Sequence, residues 1–238
     1  MFHTRAILSS STALRGSRRN WLAGMAALAV AGGLALSAPA SAQAPAADAA
    51  PDALVKQAAN NILNRLKDDP SLKSGDQGRI QQAIDELIMP YVDFDKTTRL
   101  AVGRYWRQAT PEQRTELVKS FRNMLVRTYS GSLASVTPQA SVTVKPLRAD
   151  PKATDVVVHT TVTDGQRDPV PVDYRLAQTA QGWKIYDLNV LGVWFIENYR
   201  NQFGPIVSQG GIDGLIKALN DRNQKMQTPD QGRKPAAS

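Results

Sequence analysis

Apolar positions along this chain change period twice, and the changes mark out its architecture. Up to residue 133 they recur at three- and four-residue spacing, the signature of amphipathic helices. Leu54, Ala58, Ala59, Ile62, Leu63 and Leu66 form one stripe, ended by Pro70. Ile80, Ala83, Ile84, Leu87 and Ile88 form a second, which stops before Pro90. Asp93 is placed to cap a short helix running through Leu100. Thr110, Pro111 and Gln113 have the order of a capping box with proline at the first helical position. They open a long helix striped by Leu117, Phe121, Met124, Leu125, Thr128 and Leu133. Helical spacing returns in Ile212, Leu215, Ile216 and Leu219.

Between Pro138 and Val190 the period is two. Val142 and Val144, then Val156, Val158, Thr160 and Val162, then Val170, Val172, Tyr174 and Leu176 each alternate with a second set of side chains. Trp183 to Val190 follows a turn at Gln181-Gly182, and Asp164-Gly165 marks the turn before the third run. Short turns between alternating runs predict an antiparallel meander with one apolar face and one wet face. Helices before and after it must cover the apolar face, so the fold class is α+β. The most demanding segment is Val193-Trp194-Phe195-Ile196, four large apolar residues in succession. Successive helical side chains point about 100° apart, so one face cannot bury all four. The run predicts cover on several sides, by protein or by an apolar ligand.

The two ends read differently. Residues 1–42 contain Arg5, Arg15, Arg18 and Arg19 with no acid, an Ala/Leu/Gly-rich stretch from Trp21 to Leu36, and Ala40-Ser41-Ala42. This is the pattern of a secretory signal peptide cleaved after Ala42. The Arg18-Arg19 pair leaves the general secretory and twin-arginine routes both open. Residues 43–50 read as a linker, 51–226 as the α+β domain, and 227–238 as a disordered tail broken by Pro and Gly. Half of the formal net charge of +8 lies in the leader, which weakens any reading as a basic nucleic-acid binder. There is no cysteine, hence no disulfide and no thiol catalyst.

Two blocks carry a family resemblance. One is Gly182-Trp183-Lys184-Ile185-Tyr186-Asp187, then Gly192-Val193 and Asn198-Tyr199-Arg200 with Gln202-Phe203. The other is Tyr91-Val92-Asp93-Phe94, Arg99, Gly103, Trp106 through Arg114, Phe121 and Thr128-Tyr129. Together they resemble the MlaC family of periplasmic phospholipid carriers, also called toluene-tolerance proteins. Leu191 and Trp194 depart from the family pattern, which favours an acid and a small residue there. The resemblance implies a strongly curved sheet of the nuclear-transport-factor-2-like kind, joined to a small helical lobe. It implies a non-enzymatic, monomeric carrier with a diacyl phospholipid as ligand and no cofactor. Its partners would be an inner-membrane ABC-type lipid transporter complex and an outer-membrane lipoprotein–porin complex.

By pattern alone, the inward residues of such a domain make an ordinary core. The resemblance turns the sheet–helix interface into a candidate lipid cavity. Its strand side would carry Val142, Val144, Val156, Val158, Val172 and Tyr174. Opposite would lie Phe94, Trp106, Phe121, Leu125 and Tyr129, with Val193, Phe195, Ile196, Tyr199 and Phe203 from the later block. Either Phe195→Asp or Val193→Asp should then abolish lipid retention. Arg99, Arg104, Arg107, Arg114, Lys119, Arg122 and Arg127, against Glu112 and Glu116, form a basic band that suits anionic headgroups or an acidic docking surface.

Enzymatic signals are sparse. His159 is the one histidine after the leader, and no phosphate loop, nucleophile elbow or zinc-protease motif occurs. The alternative is an isomerase of the cone-shaped curved-sheet kind, with Asp187 or Asp173 as base and Tyr174, Tyr186 or Tyr199 as oxyanion donor.

Overall fold

The computed structural model describes residues 49–72, 76–134, 136–137, 139–165 and 168–227. The expected leader, most of the linker and the tail beyond Gln227 lie outside the described residues. Five helices are found: α1 (Pro51–Asp68), α2 (Gln77–Leu87), α3 (Phe94–Val102), α4 (Pro111–Ala134) and α5 (Phe195–Gln227). Five strands, β1 (Ser141–Val144), β2 (Asp155–Thr163), β3 (Val170–Thr179), β4 (Gly182–Val190) and β5 (Val193–Trp194), pair in sequence order. All pairings within this curved, unclosed sheet are antiparallel, and the fold is α+β.

Local chemistry sets the helix boundaries. Asp93 accepts a hydrogen bond from the Lys96 amide at 2.8 Å and starts α3. Gly103, at φ 64°, ends it in a conformation that disfavours a Cβ. Thr110 and Gln113 form the reciprocal capping box: each backbone amide donates to the other's side chain, at 3.0 and 3.2 Å. The last helix is much longer than its apolar stripe predicts. It starts at Phe195, passes through Pro205 and breaks at Gly211 (φ 66°), before the Ile212–Leu219 stripe begins.

The β4–β5 connection is a two-residue turn, Leu191-Gly192, with φ of 53° and 89°. Both central residues have positive φ, as the favoured tight hairpin turns require, and Asn-Gly is the pair that best tolerates it. A leucine there is strained, and its side chain is exposed. Leu191→Asn should therefore raise thermal stability by about 1 kcal/mol. An unchanged melting temperature would show that the turn holds no such strain.

A bulge in β4 controls which side chains face inward. Tyr174 pairs with Leu188 and Arg175 with Asp187, but Leu176 pairs with Ile185. Tyr186 is the extra residue. Tyr174 and Leu176 are two apart and share a face, so Ile185 and Leu188, three apart, share it too. The opposite face carries Asp173, Arg175 and Asp187.

The outer edge of β4 is closed in two pieces. β5 pairs with Asn189 and Val190. Val92 bridges Ile185 in parallel, the Asp93 amide donates to Ile185 O at 2.8 Å, and Thr97 Oγ1 donates to Tyr186 O at 2.7 Å. The expectation of one wet face fails at β4. Ile185, Tyr186, Asp187 and Asn189 are all buried, because α3 and the start of α5 cover the second face.

The core falls into separate apolar clusters. One packs α1 onto the sheet through Leu54, Val55, Val156, Val158 and Leu176. One joins α3, α4 and α5 through Leu117, Phe121, Tyr199, Phe203 and Leu215. A third joins the end of α1 to α2 through Leu66, Leu72, Ile80 and Ile84, making the small helical lobe. Ion pairs fasten α2 to its neighbours: Arg65 of α1 with Glu86, and Arg122 of α4 with Asp85.

Candidate functional site: an apolar cavity between sheet and helices

A cavity of about 510 Å³ lies between the sheet and the helices. Val55, Ala58, Ala59 and Ile62 of α1 and Ile84 and Leu87 of α2 form one side. Phe121, Leu125, Val126 and Tyr129 of α4, with Phe195, Ile196 and Tyr199 of α5, form another. The sheet contributes Val172 and Tyr174 of β3 and Ile185 to Leu188 with Val190 of β4. The lining includes no lysine, arginine or histidine. Tyr129 is 37% exposed and stacks on Phe195 (centroids 5.1 Å, planes 26° apart), which places this aromatic pair at the rim. Deeper in, Phe121 meets Tyr199 edge-on at 4.9 Å.

Size decides what such a space means. Ligand pockets run from roughly 300 to 1,000 Å³, whereas a dry cavity of about 150 Å³ already takes up benzene. At about 24 cal/mol per Å³, an unfilled cavity of this volume would forfeit on the order of 12 kcal/mol, comparable to the whole stability of a domain. An interior of this kind is suited to holding an apolar ligand.

Of the residues expected to form a lipid-facing wall, Phe94, Phe121, Leu125, Tyr129, Val172, Tyr174, Phe195, Ile196 and Tyr199 border this cavity. The other seven lie elsewhere. Val156 and Val158 sit under α1 in filled core, with Val144 packed beside them. Val142, one turn of the pleat further along β1, is only half-buried. Phe203 is core, edge-on to Phe121 at 5.1 Å. Trp106 flanks the helical cluster beneath the Arg114 guanidinium, 5.5 Å from the ring centroid. Val193 is 54% exposed, which corrects the expectation that all four residues of its run are covered. The run is split between a short edge strand and a helix start: Trp194 lies beneath the Arg175 guanidinium at 3.8 Å, and only Phe195 and Ile196 turn inward. Phe195→Asp should accordingly remove an apolar ligand, and Val193→Asp should leave its retention unchanged. Equal loss in both variants, measured as lipid extracted per mole of folded protein, would contradict this geometry.

Residues that the sequence reading did not assign to the wall come mainly from α1, α2 and β4. The adjacent small side chains Ala58 and Ala59, on a stripe otherwise made of large residues, are the signal that space is left there. Ile185 and Leu188 escape a strict period-two reading because of the bulge at Tyr186.

Asp187 is the unusual polar group. Its side chain is fully buried, accepts hydrogen bonds from the amides of Leu188 (2.9 Å) and Ile196 (3.0 Å), and pairs with Arg175 at 3.1 Å. It thereby ties the start of α5 to the sheet, a carboxylate at a helix N-terminus. Burial pushes its pKa above the ordinary 3.8, although the two amides and Arg175 pull the other way. A carboxyl with a raised native pKa takes up its proton first in the folded state. Its contribution to stability therefore improves as pH falls through that raised value, and it stops changing below the unfolded-state value. A carbon-13 titration of the Asp187 carboxyl should give a midpoint above 3.8; a midpoint below it would show that the hydrogen bonds outweigh burial.

The parts of an isomerase are present but otherwise engaged. Asp187 is held by three donors, and Asp173 pairs with His159 Nδ1 at 2.9 Å on the opposite face of the sheet. Tyr186 donates to Asp155 at 2.8 Å. Burial raises the pKa of Tyr174, Tyr186 and Tyr199, which makes each a poorer acid. Among the described residues no cluster of His, Asp or Glu could hold a metal ion.

Fold and site together define a hollow α+β protein, a curved sheet and helices built around an apolar chamber. The family model described as MlaC protein matches residues 56–221, well over half the chain, and the chain belongs to the MlaC family. It is 27% identical over 165 residues to the toluene tolerance protein ttg2D of Pseudomonas putida, covering 68% of this chain and 75% of that one. It is 22% identical over 176 residues to the intermembrane phospholipid transport system binding protein MlaC of Haemophilus influenzae, covering 73% of this chain and 82% of that one. A solved structure of the phospholipid-binding protein from Ralstonia solanacearum, in complex with a phospholipid, superposes with a TM-score of 0.72 at 42% identity. That match covers 76% of this chain and all of the other.

Proposed function

We propose that this protein is a periplasmic phospholipid carrier that moves diacyl phospholipids between the inner and outer membranes and so maintains outer-membrane lipid asymmetry. The observation that carries the reading is the cavity: about 510 Å³, almost wholly apolar, with no cationic side chain in its lining. The phospholipid bound by the Ralstonia solanacearum relative supports it. Acyl chains occupy the space between β3–β4 and the helices, and the headgroup stays at the rim near Tyr129. With no cation in the lining to grip a phosphate, headgroup selectivity is low.

Energetics fix what such a carrier can do. At about 0.8 kcal/mol per methylene, two tails of about 30 methylenes gain on the order of 25 kcal/mol on leaving water. A bilayer offers nearly the same gain. The carrier thus shields lipid from water strongly but holds it against a membrane only weakly. Direction comes from docking partners, here an inner-membrane ABC-type transporter complex and an outer-membrane lipoprotein–porin complex.

Native mass spectrometry of the purified protein, followed by organic extraction, tests the reading. Bound diacyl phospholipid is the expected result. Protein that stays empty after incubation with phospholipid vesicles would overturn it.

A further inference from the structure

The basic band divides in the folded chain. Arg122 turns inward to Asp85, Lys119 pairs with Glu116, and Arg114 lies over Trp106. Arg99, Arg104 and Arg107 make no ion pair among the described residues, and Arg200 of α5 joins them from across a groove. Asp95 and Glu197, the acids nearest in sequence, make no ion pair with any of the four.

The groove, about 560 Å³, runs between the 3₁₀ segment Gly103–Gln108 and α5. Its α5 wall is Arg200, Gly204 and Ser208, spaced i, i+4 and i+8, so one helix stripe faces it along its length. Arg200 lies along Gly103, where an added Cβ would stand 3.6 Å from its Cδ, and its Nε donates to Leu100 O at 2.9 Å. That bond holds the guanidinium in place with its terminal nitrogens unused. Arg104 is held likewise: Nη2 donates to the Tyr105 hydroxyl at 2.8 Å and the group sits over that ring. Val102, Tyr105 and Pro205 add apolar surface between the two cations.

We infer that this groove is a docking site for an acidic, extended segment of a partner protein, with carboxylates held by Arg104 and Arg200. Guanidiniums fixed in orientation suit planar carboxylates, which they bind through paired hydrogen bonds. The stripe from Arg200 to Ser208 spans about 12 Å at 1.5 Å per helical residue, the length of about four extended residues. A recessed trench admits a peptide chain, whereas a flat bilayer surface meets only its rim. The site is separate from the lipid cavity and stands whether or not the cavity holds lipid.

The test is fluorescence anisotropy of a fluorescein-labelled hexaglutamate peptide against the purified protein at low ionic strength. Arg104→Glu should weaken binding about tenfold or more. Gly204→Leu, which fills the groove without changing charge and favours the helix, should weaken it equally. Lys217→Glu, an exposed reversal elsewhere on α5, should change it less than about twofold. Equal loss in Arg104→Glu and Lys217→Glu would reduce the site to diffuse attraction and overturn the proposal. So would full binding by Gly204→Leu. Binding to phosphatidylglycerol vesicles through Arg104 with no binding of the peptide would assign the surface to membranes and also overturn it.

Discussion

Ala59→Phe is expected to strip this protein of phospholipid while making it more stable. Ala59 lines the cavity from α1, beside Ala58 and opposite the aromatic cluster of α4 and α5. A phenyl ring placed there occupies volume that acyl chains otherwise need. Burying it gains about 2 kcal/mol, against a helix-propensity loss of roughly half a kcal/mol. Overpacking is the usual hazard of adding atoms to an interior, but here the ring enters open space. After removal of lipid from both proteins, the variant should melt a few degrees higher than its parent, at about 2–4 °C per kcal/mol for a chain of this size. Lipid recovered per mole should fall about tenfold. Both parts matter, because a bound ligand itself raises stability. Full lipid content with an unchanged melting temperature would show that the ring displaces nothing.

Asp187→Ala should have the largest effect on folding. The substitution removes the acceptor of two backbone amides and the partner of Arg175 at one stroke. Buried donors left without an acceptor cost about 1–3 kcal/mol each, and loss of a carboxylate at a helix start costs about 1 kcal/mol. Arg175 is 38% exposed, so water screens the charge left behind and the salt bridge itself adds little. A total of about 3 kcal/mol, or about 6–12 °C in melting temperature, is the expected result. The start of α5 carries Phe195, Ile196 and Tyr199 to the cavity, so lipid retention should fall as well. A loss below about half a kcal/mol would mean that α5 is held to the sheet by its apolar contacts alone.

The sequence made some elements legible because their signals are local. Helix starts at Asp93 and Thr110 follow from side chains that reach backbone amides within three residues, and the structure has both hydrogen bonds. The meander follows from period two and its turn residues. Other features depend on contacts that no window of sequence contains. The bulge at Tyr186 shifts β4 by one residue, so Ile185 and Leu188 share a face against the simple alternation. The helix over residues 195–210 contains Gly204, Pro205 and Gly210, residues that weaken any helical signal, and it forms because its apolar side chains pack on α3 and α4.

The line between core and cavity was the hardest to read. Val158 and Val172 are the same residue type on the same face of one sheet. Val158 lies under α1 and Val172 faces open space, because α1 sits over β1 and β2 but not over β3 and β4. Residue type sets which groups leave water, but the spacing between elements sets whether they meet one another. That spacing is a tertiary property. The alanine pair on α1 was its one trace in the sequence.

Photo-crosslinking tests the central claim most directly. The purified protein would be loaded with a phospholipid carrying a diazirine at the end of one acyl chain, irradiated, digested and read by peptide mass spectrometry. The account predicts adducts on segments that meet only at the cavity: residues 55–62 of α1, 121–129 of α4 and 195–199 of α5. Adducts confined to surface peptides, with none on α1 or on 121–129, would mean that the chamber between sheet and helices does not hold the acyl chains.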